Sequence, residues 1–257
     1  MNKNQLRRVT GLLFIVGALM VNIPYSRLVM SFDYPDILRQ PAGVILEKFA
    51  AGGDGLIWTW LAFAWVGIPI LLGILMLTES LDNGDGKRID QAASAGMYFG
   101  VVGALAQIIG LLRWSFVVPV LAKKFVDSGT SPAMREALEA VFQAVHQYGG
   151  VVLGEHIGQT FTIAWMVLVS LSLLRSRKLS RWLPWSGLIV SFVFLFAQGE
   201  LLATSMPGFL YWEQAGLVGS LLWIGWMIAL GISLIWSTRS EHEHTRQNSQ
   251  FGLSAVQ

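Results

Sequence analysis

Six apolar stretches, each close to the length of a membrane-spanning helix, constrain the fold of this 257-residue chain. A helix needs about 20 predominantly apolar residues to cross a hydrocarbon core about 30 Å thick. The stretches are residues 11–30, 56–78, 93–119, 150–174, 182–205 and 214–236. The sequence therefore predicts an all-α integral membrane protein with six transmembrane helices.

The composition favours the same class of protein. Hydrophobic residues make up 54% of the chain and charged residues 13%, whereas soluble domains contain about 25% charged residues. The net charge of +2 is spread over helix ends, which predicts no nucleic-acid partner. The absence of Cys excludes disulfides and thiolate metal sites. The lipid bilayer is thus the first predicted partner, and the oligomeric state stays open.

The distribution of Lys and Arg predicts the orientation. Eleven of the 18 lie in the N-terminal segment, the second and fourth connections and the C-terminal tail. Such a bias places those segments in the cytoplasm, and an even number of helices agrees with two cytoplasmic termini. We expect a multi-pass protein of the plasma (inner) membrane. Residues 1–237 would form one membrane domain, and the polar residues 238–257 a disordered cytoplasmic tail.

Two of the opposite, outer connections contain predicted amphipathic helices. Ser131 and Pro132 have the residue types of a helix start, and apolar residues then recur at helical spacing up to Val145. A shorter helix is predicted over residues 42–50, followed by a glycine-rich turn at residues 52–55. We expect both helices on the outer surface of the bilayer or bundle.

Aromatic residues cluster near the predicted ends of the spans, as expected for a membrane-interface belt. The predicted anchors are Tyr25, Trp58, Trp60, Trp114, Tyr148, Tyr211 and Trp212 at outer ends, and Trp182, Trp185 and Trp236 at inner ends.

Polar residues of several spans fall at a similar depth. With a helical rise of 1.5 Å per residue, Arg113, Glu155 and Glu200 lie about 8 to 9 Å below the outer surface. Ionisable groups are costly at that depth without a partner or a task, and we expect Arg113 to pair with Glu155 or Glu200. The candidate ligand-binding residues are Arg113, Glu155, His156, Glu200, Gln159, Gln198 and Asn22.

Small residues predict close helix packing at the same level. Gly150, Gly154 and Gly158 repeat every four residues, as do Gly96 and Gly100 in the preceding span. Such faces let two helix backbones approach closely. The polar residues beside them are then either interhelical hydrogen bonds, worth about 0.6 kcal/mol each, or the lining of an outward-facing pocket.

No established catalytic or cofactor motif accompanies these residues. A bis-His haem needs two facing imidazoles, yet His156 is the sole His within a span. No predicted span contains the Glu-x-x-His pattern of di-iron proteins, and the chain has neither Gly-x-Ser-x-Gly nor His-Glu-x-x-His. We therefore assign no catalytic residue, no metal ligand and no cofactor. One open metal site built from Glu155, His156, His146 and Glu200 stays an alternative.

Three segments resemble a known family. They are Arg8-x-x-Gly-Leu-Leu, the run Phe-Asp-Tyr-Pro-Asp-Ile-Leu-Arg-x-Pro at residues 32–41 with its following Gly-Gly turn, and Leu112-Arg113-Trp114 to Pro119. They are similar to the uncharacterised prokaryotic multi-pass membrane proteins grouped as the domain of unknown function four-three-eight-six. The resemblance implies a six-helix plasma-membrane protein and carries over no catalytic residue.

Three functional hypotheses follow. The first is a non-enzymatic protein that binds or transports a small polar or amphiphilic ligand through the outward-facing polar residues. The second is a membrane-embedded enzyme, metal-assisted or not, that uses Glu155 and His156. The third is a structural or regulatory subunit in which these residues only hold helices together. The sequence favours the first and leaves enzymatic activity undecided.

Overall fold

The computed structural model describes residues 1–81, 91–176 and 179–254, and within these ranges it contains helices and no strands. The helices are α1 (Lys3–Met20), α2 (Asn22–Phe32), a 3-10 turn (Asp36–Arg39), α3 (Ala42–Trp65), α4 (Gly67–Leu81), α5 (Gln91–Phe116), α6 (Val118–Phe125), α7 (Pro132–Val145), a π-helix (His146–Ile157), α8 (Gly158–Ser176), α9 (Trp182–Leu195), α10 (Ala197–Ala203) and α11 (Ala215–Ser254).

Within the described residues, six helical stretches are long and apolar enough to cross a membrane, which confirms the predicted number. They are Lys3–Phe32, Ala42–Leu81, Gln91–Phe125, Pro132–Ser176, Trp182–Ala203 and Ala215–Ser237. The first four have 30 to 45 residues, more than the about 20 that a span needs. Additional helices extend these spans at one end of the bundle, which we call the outer end after the predicted orientation.

Parts of the prediction lie outside the described residues. Lys87, Arg88, Arg177 and Lys178, which contribute to the predicted orientation, are among them. The last helix continues to Ser254, beyond the predicted membrane domain, and the disordered tail over residues 238–257 stays a prediction.

The two larger hydrophobic cores of the described chain lie one above the other in the bundle. The inner core joins α1, α4, α5, α8, α9 and α11 and consists mainly of aliphatic side chains around Phe14, Trp165 and Trp226. The outer core joins α2, α3, α5, α6 and α7. Aromatic rings dominate it, with Trp60 stacked on Trp114 at 4.7 Å between ring centroids. The extra helices at the outer end thus have a core of their own.

The outer core corrects the prediction for two tryptophans. Trp60 and Trp114 are 0% and 1% exposed, so they are not interface anchors. The outer connections fold back as helices and cover both rings, a consequence of tertiary packing that span ends alone do not reveal. Trp58 and Trp236, each 65% exposed, face outward as expected for a belt.

The predicted outer helices are present, and both are continuous with spans. Gly53 has φ 55° and ψ −156°, a backbone conformation that favours glycine. The predicted turn at residues 52–55 is therefore a kink between the outer and spanning parts of α3. The amphipathic helix α7 packs against α3 and α6 with Phe142 buried, and it continues through the π-helix into α8.

Glycine packing of α5 against the π-helix and α8 is as close as predicted. A Cβ added to Gly110 would lie 2.5 Å from the Cα of Gly154, and one added to Gly103 would lie 3.0 Å from the carbonyl oxygen of Gly158. Gly100 similarly contacts Trp165. Backbone therefore meets backbone beside the polar residues.

Candidate functional site

The π-helix His146–Ile157 carries two of the predicted site residues, Glu155 and His156. In a π-helix the N–H group bonds to the carbonyl five residues earlier, instead of four as in an α-helix. A methyl group on Gly150 would overlap the Arg113 guanidinium, and the charge of Glu155 also acts on Arg113. The spacing of the glycines predicted an α-helix here and did not indicate the π-helix.

Arg113 is 8% exposed and is held mainly by a backbone carbonyl and aromatic rings. Its Nη1 donates to the Gly110 carbonyl oxygen, its Nη2 lies 3.5 Å from Nδ1 of His146, and its Cζ lies 5.1 Å from the centre of the Trp114 ring. Among the described residues, no carboxylate lies within 4.0 Å of it, and its Nε has no hydrogen-bond partner. Glu155 acts on Arg113 only through longer-range electrostatics.

Tyr34 completes this buried group, although it was not among the predicted site residues. Its ring packs edge-on against Trp60 at 5.3 Å. Burial raises the pKa of the Tyr34 phenol above its ordinary value, and the negative charge of Glu155 raises this pKa further, whereas Arg113 lowers it. Tyr34, Arg113, His146 and Glu155 therefore share one electrostatic environment, which we call the Arg113 layer.

Glu200 belongs to a different group. Its Oε1 accepts a hydrogen bond from Nη2 of Arg39 at 2.7 Å, and Nη1 of Arg39 donates to Asp36 at 2.9 Å. The predicted pairing of Glu200 with Arg113 is therefore wrong. The hydrogen bond from Arg39 to Glu200 raises the pKa of the guanidinium, and the charges of Glu200 and Asp36 add to this effect. Arg39 reaches Glu200 from the 3-10 turn, whose position the sequence did not indicate.

The Arg39–Glu200 ion pair forms one wall of a cavity of about 480 Å³ at the outer end, which we call the outer cavity. The opposite wall is the connection between α10 and α11, where Gly208 has a positive φ of 88°. Both polar and apolar side chains line the outer cavity. The lining residues are Arg39, Glu200, Ala203, Thr204, Gly208, Phe209, Leu210 and Tyr211.

Three further predicted residues form a chain of contacts between the fourth and fifth spans. Nδ1 of His156 lies 2.7 Å from Oε1 of Gln198, and Nε2 of Gln198 donates to Gln159 at 2.8 Å. Thr160 also donates to Gln198, at 3.4 Å. Gln198 is buried. The contacts with His156, Gln159 and Thr160 give its side-chain amide hydrogen-bond partners in place of water.

His156 also borders a second, smaller cavity of about 140 Å³, together with Gln147 and Ser205. Gln147 donates to Thr204 at 2.9 Å, and Thr204 lines the outer cavity. This hydrogen bond connects the π-helix to the segment beside both cavities.

The structure does not bring Asn22 to these groups. Its side-chain amide donates to the carbonyl oxygens of Ala18 and Leu19 in the preceding turn, at 3.2 Å each. Asn22 is exposed and caps backbone groups at the junction between α1 and α2. The predicted depth of Asn22 in the membrane had suggested that it belongs to the site, but its side chain bonds only to the last turn of α1.

The described residues offer no ready-made metal centre. Within ranges 1–81, 91–176 and 179–237, no three His, Asp or Glu side chains come close enough to hold one ion. His156 and Glu200 make their hydrogen bonds to different partners, Gln198 and Arg39. The open metal site considered from the sequence would need these groups to move together.

Comparison with the curated proteins and with the solved structures finds no match. The sequence model of one family, described as a domain of unknown function (DUF4386), matches residues 9–231. The match covers all six candidate spans almost completely. The chain therefore belongs to the DUF4386 family.

Proposed function

We propose that this multi-pass membrane protein is a non-enzymatic binder of a small amphiphilic ligand and that the outer cavity is its binding site. The observation that carries the proposal is the mixed lining of the cavity. Arg39 and Glu200 supply charge, while Phe209, Leu210 and Tyr211 supply apolar surface. Its volume of about 480 Å³ also falls within the range of about 300 to 1,000 Å³ of small-molecule sites.

The position of the apolar wall supports an amphiphilic ligand. The wall belongs to residues 204–214, which join the fifth and sixth candidate spans. A connection this short keeps its residues near the membrane interface. Leu210 is 94% exposed, so a ligand tail beside it would remain in contact with lipid. A polar head group would then enter between Arg39 and the loop.

The predicted site residues divide between binding and support under this proposal. Glu200 contacts the ligand because it lines the outer cavity. Gln198, two residues earlier on α10, bonds to Gln159 and positions that helix. Arg113 and Glu155 stabilise the bundle below the cavity. Because each role belongs to different residues, each can be tested by a separate substitution.

Interhelical hydrogen bonds favour a second candidate, a structural or regulatory subunit without a ligand. Gln198 bonds directly to Gln159, and Nε2 of Gln107 donates to Thr162 at 2.9 Å. Such bonds are typical of residues that hold transmembrane helices together. This candidate predicts no saturable binding in the outer cavity.

Photolabelling distinguishes the two candidates. Protein in lipid nanodiscs would be exposed to a neutral diazirine-bearing alkyl glycoside, and labelled peptides would be identified by mass spectrometry. We expect saturable labelling of residues 204–211 that falls several-fold in Tyr211→Ala. Tyr148→Ala is the matched control, because Tyr148 is an exposed tyrosine that lines neither cavity. Labelling spread evenly over the lipid-facing surface, and unchanged in Tyr211→Ala, would contradict the proposal.

A further inference from the structure

We infer that the outer cavity selects organic cations, that is, amphiphiles whose head group is an ammonium or phosphonium ion. The inference rests on the proposed function and adds the charge of the head group. It depends on the balance of charge around Arg39, on the hydrogen-bonding state of Glu200 and on the aromatic lining.

The charges around Arg39 are predominantly negative. Glu200, Asp36 and Glu213 all act electrostatically on its guanidinium. Two of these carboxylates, Glu200 and Asp36, bond directly to the one guanidinium at 2.7 and 2.9 Å. This ion-pair cluster at the edge of the cavity therefore carries a net negative charge. A cation that enters the cavity would reduce this imbalance.

Glu200 has an oxygen available for such a ligand. Its Oε1 accepts the hydrogen bond from Arg39, whereas its Oε2 accepts none from any side chain or backbone group that the structure describes. The Glu200 side chain is 30% exposed, so its charge is partly shielded from water. A carboxylate in this state attracts a cation more strongly than a fully solvated one does.

Aromatic side chains supply the second element of cation recognition. Phe209 and Tyr211 line the same cavity as Glu200. The faces of aromatic rings carry negative potential and bind quaternary ammonium groups, which cannot donate hydrogen bonds. A carboxylate and two aromatic residues in one cavity therefore favour an organic cation over an inorganic one.

An anionic head group meets the opposite conditions. It would have to displace Glu200 from Arg39 and break an ion pair of 2.7 Å. The released carboxylate would then remain near the ligand, together with Asp36 and Glu213. Like charges at this distance disfavour binding. Arg39 is thus committed to carboxylates of the protein and does not serve as an anion site.

The experiment compares two probes of nearly equal size and shape and of opposite charge, tetraphenylphosphonium and tetraphenylborate. Equilibrium dialysis against protein-loaded nanodiscs, with empty nanodiscs subtracted, gives saturable binding for each. We expect tetraphenylphosphonium to bind at least tenfold more tightly than tetraphenylborate. Glu200→Gln should weaken tetraphenylphosphonium binding at least tenfold, because it removes the charge and keeps the shape.

Two further variants keep the test interpretable. Glu136→Gln is the matched control, because Glu136 is an exposed glutamate of α7 outside the cavity lining, and we expect unchanged binding. Tyr211→Leu leaves all charges in place and should weaken tetraphenylphosphonium binding several-fold. If Glu200→Gln does not fold, Tyr211→Leu still tests the aromatic part of the site, and the comparison of the two probes in the unmodified protein still tests its charge.

The outcomes separate the inference from the proposed function. Saturable binding of both probes with equal affinity, unaffected by Glu200→Gln, would overturn the charge selectivity and leave an amphiphile site in place. Tighter binding of tetraphenylborate would overturn it as well. Absence of saturable binding by both probes, together with saturable labelling by the neutral glycoside, would also contradict the cation site alone. Failure of all three probes would contradict the proposed function.

Discussion

The Arg113 layer and the outer cavity use the same side chain in opposite ways. Arg113 is buried, bonds to a backbone carbonyl and rests on Trp114, with no carboxylate in direct contact within the described chain. Arg39 has a side chain that is 44% exposed and bonds to two carboxylates. The comparison teaches that depth in the membrane and direct ion pairing are separate properties. A buried guanidinium fixes the bundle, whereas an exposed one holds two carboxylates at the edge of the outer cavity.

The largest expected difference between the two regions is in stability. Arg113→Met removes the opposite charge that acts on Glu155 and the side-chain hydrogen bond to the Gly110 carbonyl. A hydrogen bond to a charged group contributes about 1.5 to 3 kcal/mol to the free energy of unfolding. We expect a loss in this range, to which the uncompensated charge of the half-buried Glu155 adds. Denaturant titration in mixed micelles would measure it.

Arg39→Met is the matched control for this change. Exposed ion pairs contribute about 0 to 1 kcal/mol, so we expect a loss below about 1 kcal/mol for this variant. Equal losses for the two variants would contradict the distinction between a buried arginine that stabilises the bundle and an exposed arginine that contributes little to stability.

The sequence predicts the members of these regions better than their contacts. Apolar length indicated six spans, helical spacing indicated α7, and the glycine repeat indicated the approach of α5 to α8. Depth also placed Arg113 and Glu155 at one level. These features depend on local periodicity and on the helical rise, which hold within one helix.

The partners of Arg113 and Glu200 depend on how separate segments fold together. Arg39 reaches Glu200 across 161 residues of sequence, and no periodic pattern records such a contact. The hydrogen bonds of the π-helix span five residues instead of the four of an α-helix, and no residue pattern in the sequence indicated this change. Tyr34 was missed for a similar reason, because it lies in a connection and reaches the layer through tertiary packing.

A second expected effect tests whether close backbone packing belongs to the Arg113 layer. An added methyl in Gly110→Ala would meet the backbone of Gly154, which cannot move aside as a side chain can. Overpacking of this kind lowers the free energy of unfolding by about 1 to 3 kcal/mol. Gly225→Ala is the control, because no atom lies within 4 Å of its added Cβ. A loss in Gly225→Ala as large as in Gly110→Ala would show that α5–α8 packing is not special.

The smallest expected effect concerns the contacts between the two regions. Gln198→Leu removes the bond to Gln159 and the contact with His156. Interhelical hydrogen bonds contribute about 0.6 kcal/mol on average and up to about 1.7, so we expect a loss in that range in the same titration. Gln143→Leu, at an exposed position of α7, should have no effect. If Gln198→Leu also abolished tetraphenylphosphonium binding, the cavity and the bundle below it would act as one unit.

The π-helix has a consequence for changes in chain length. Deletion of one residue from an α-helix rotates everything beyond it by about 100°, which would turn the apolar face of α7 away from α3 and α6. Within His146–Ile157 the wider turns contain residues in excess of α-helical winding. A single deletion there can be absorbed as the segment tightens, so α7 keeps its face. Among the membrane-embedded helices described, this segment is the one in which losing a residue would disturb its neighbours least.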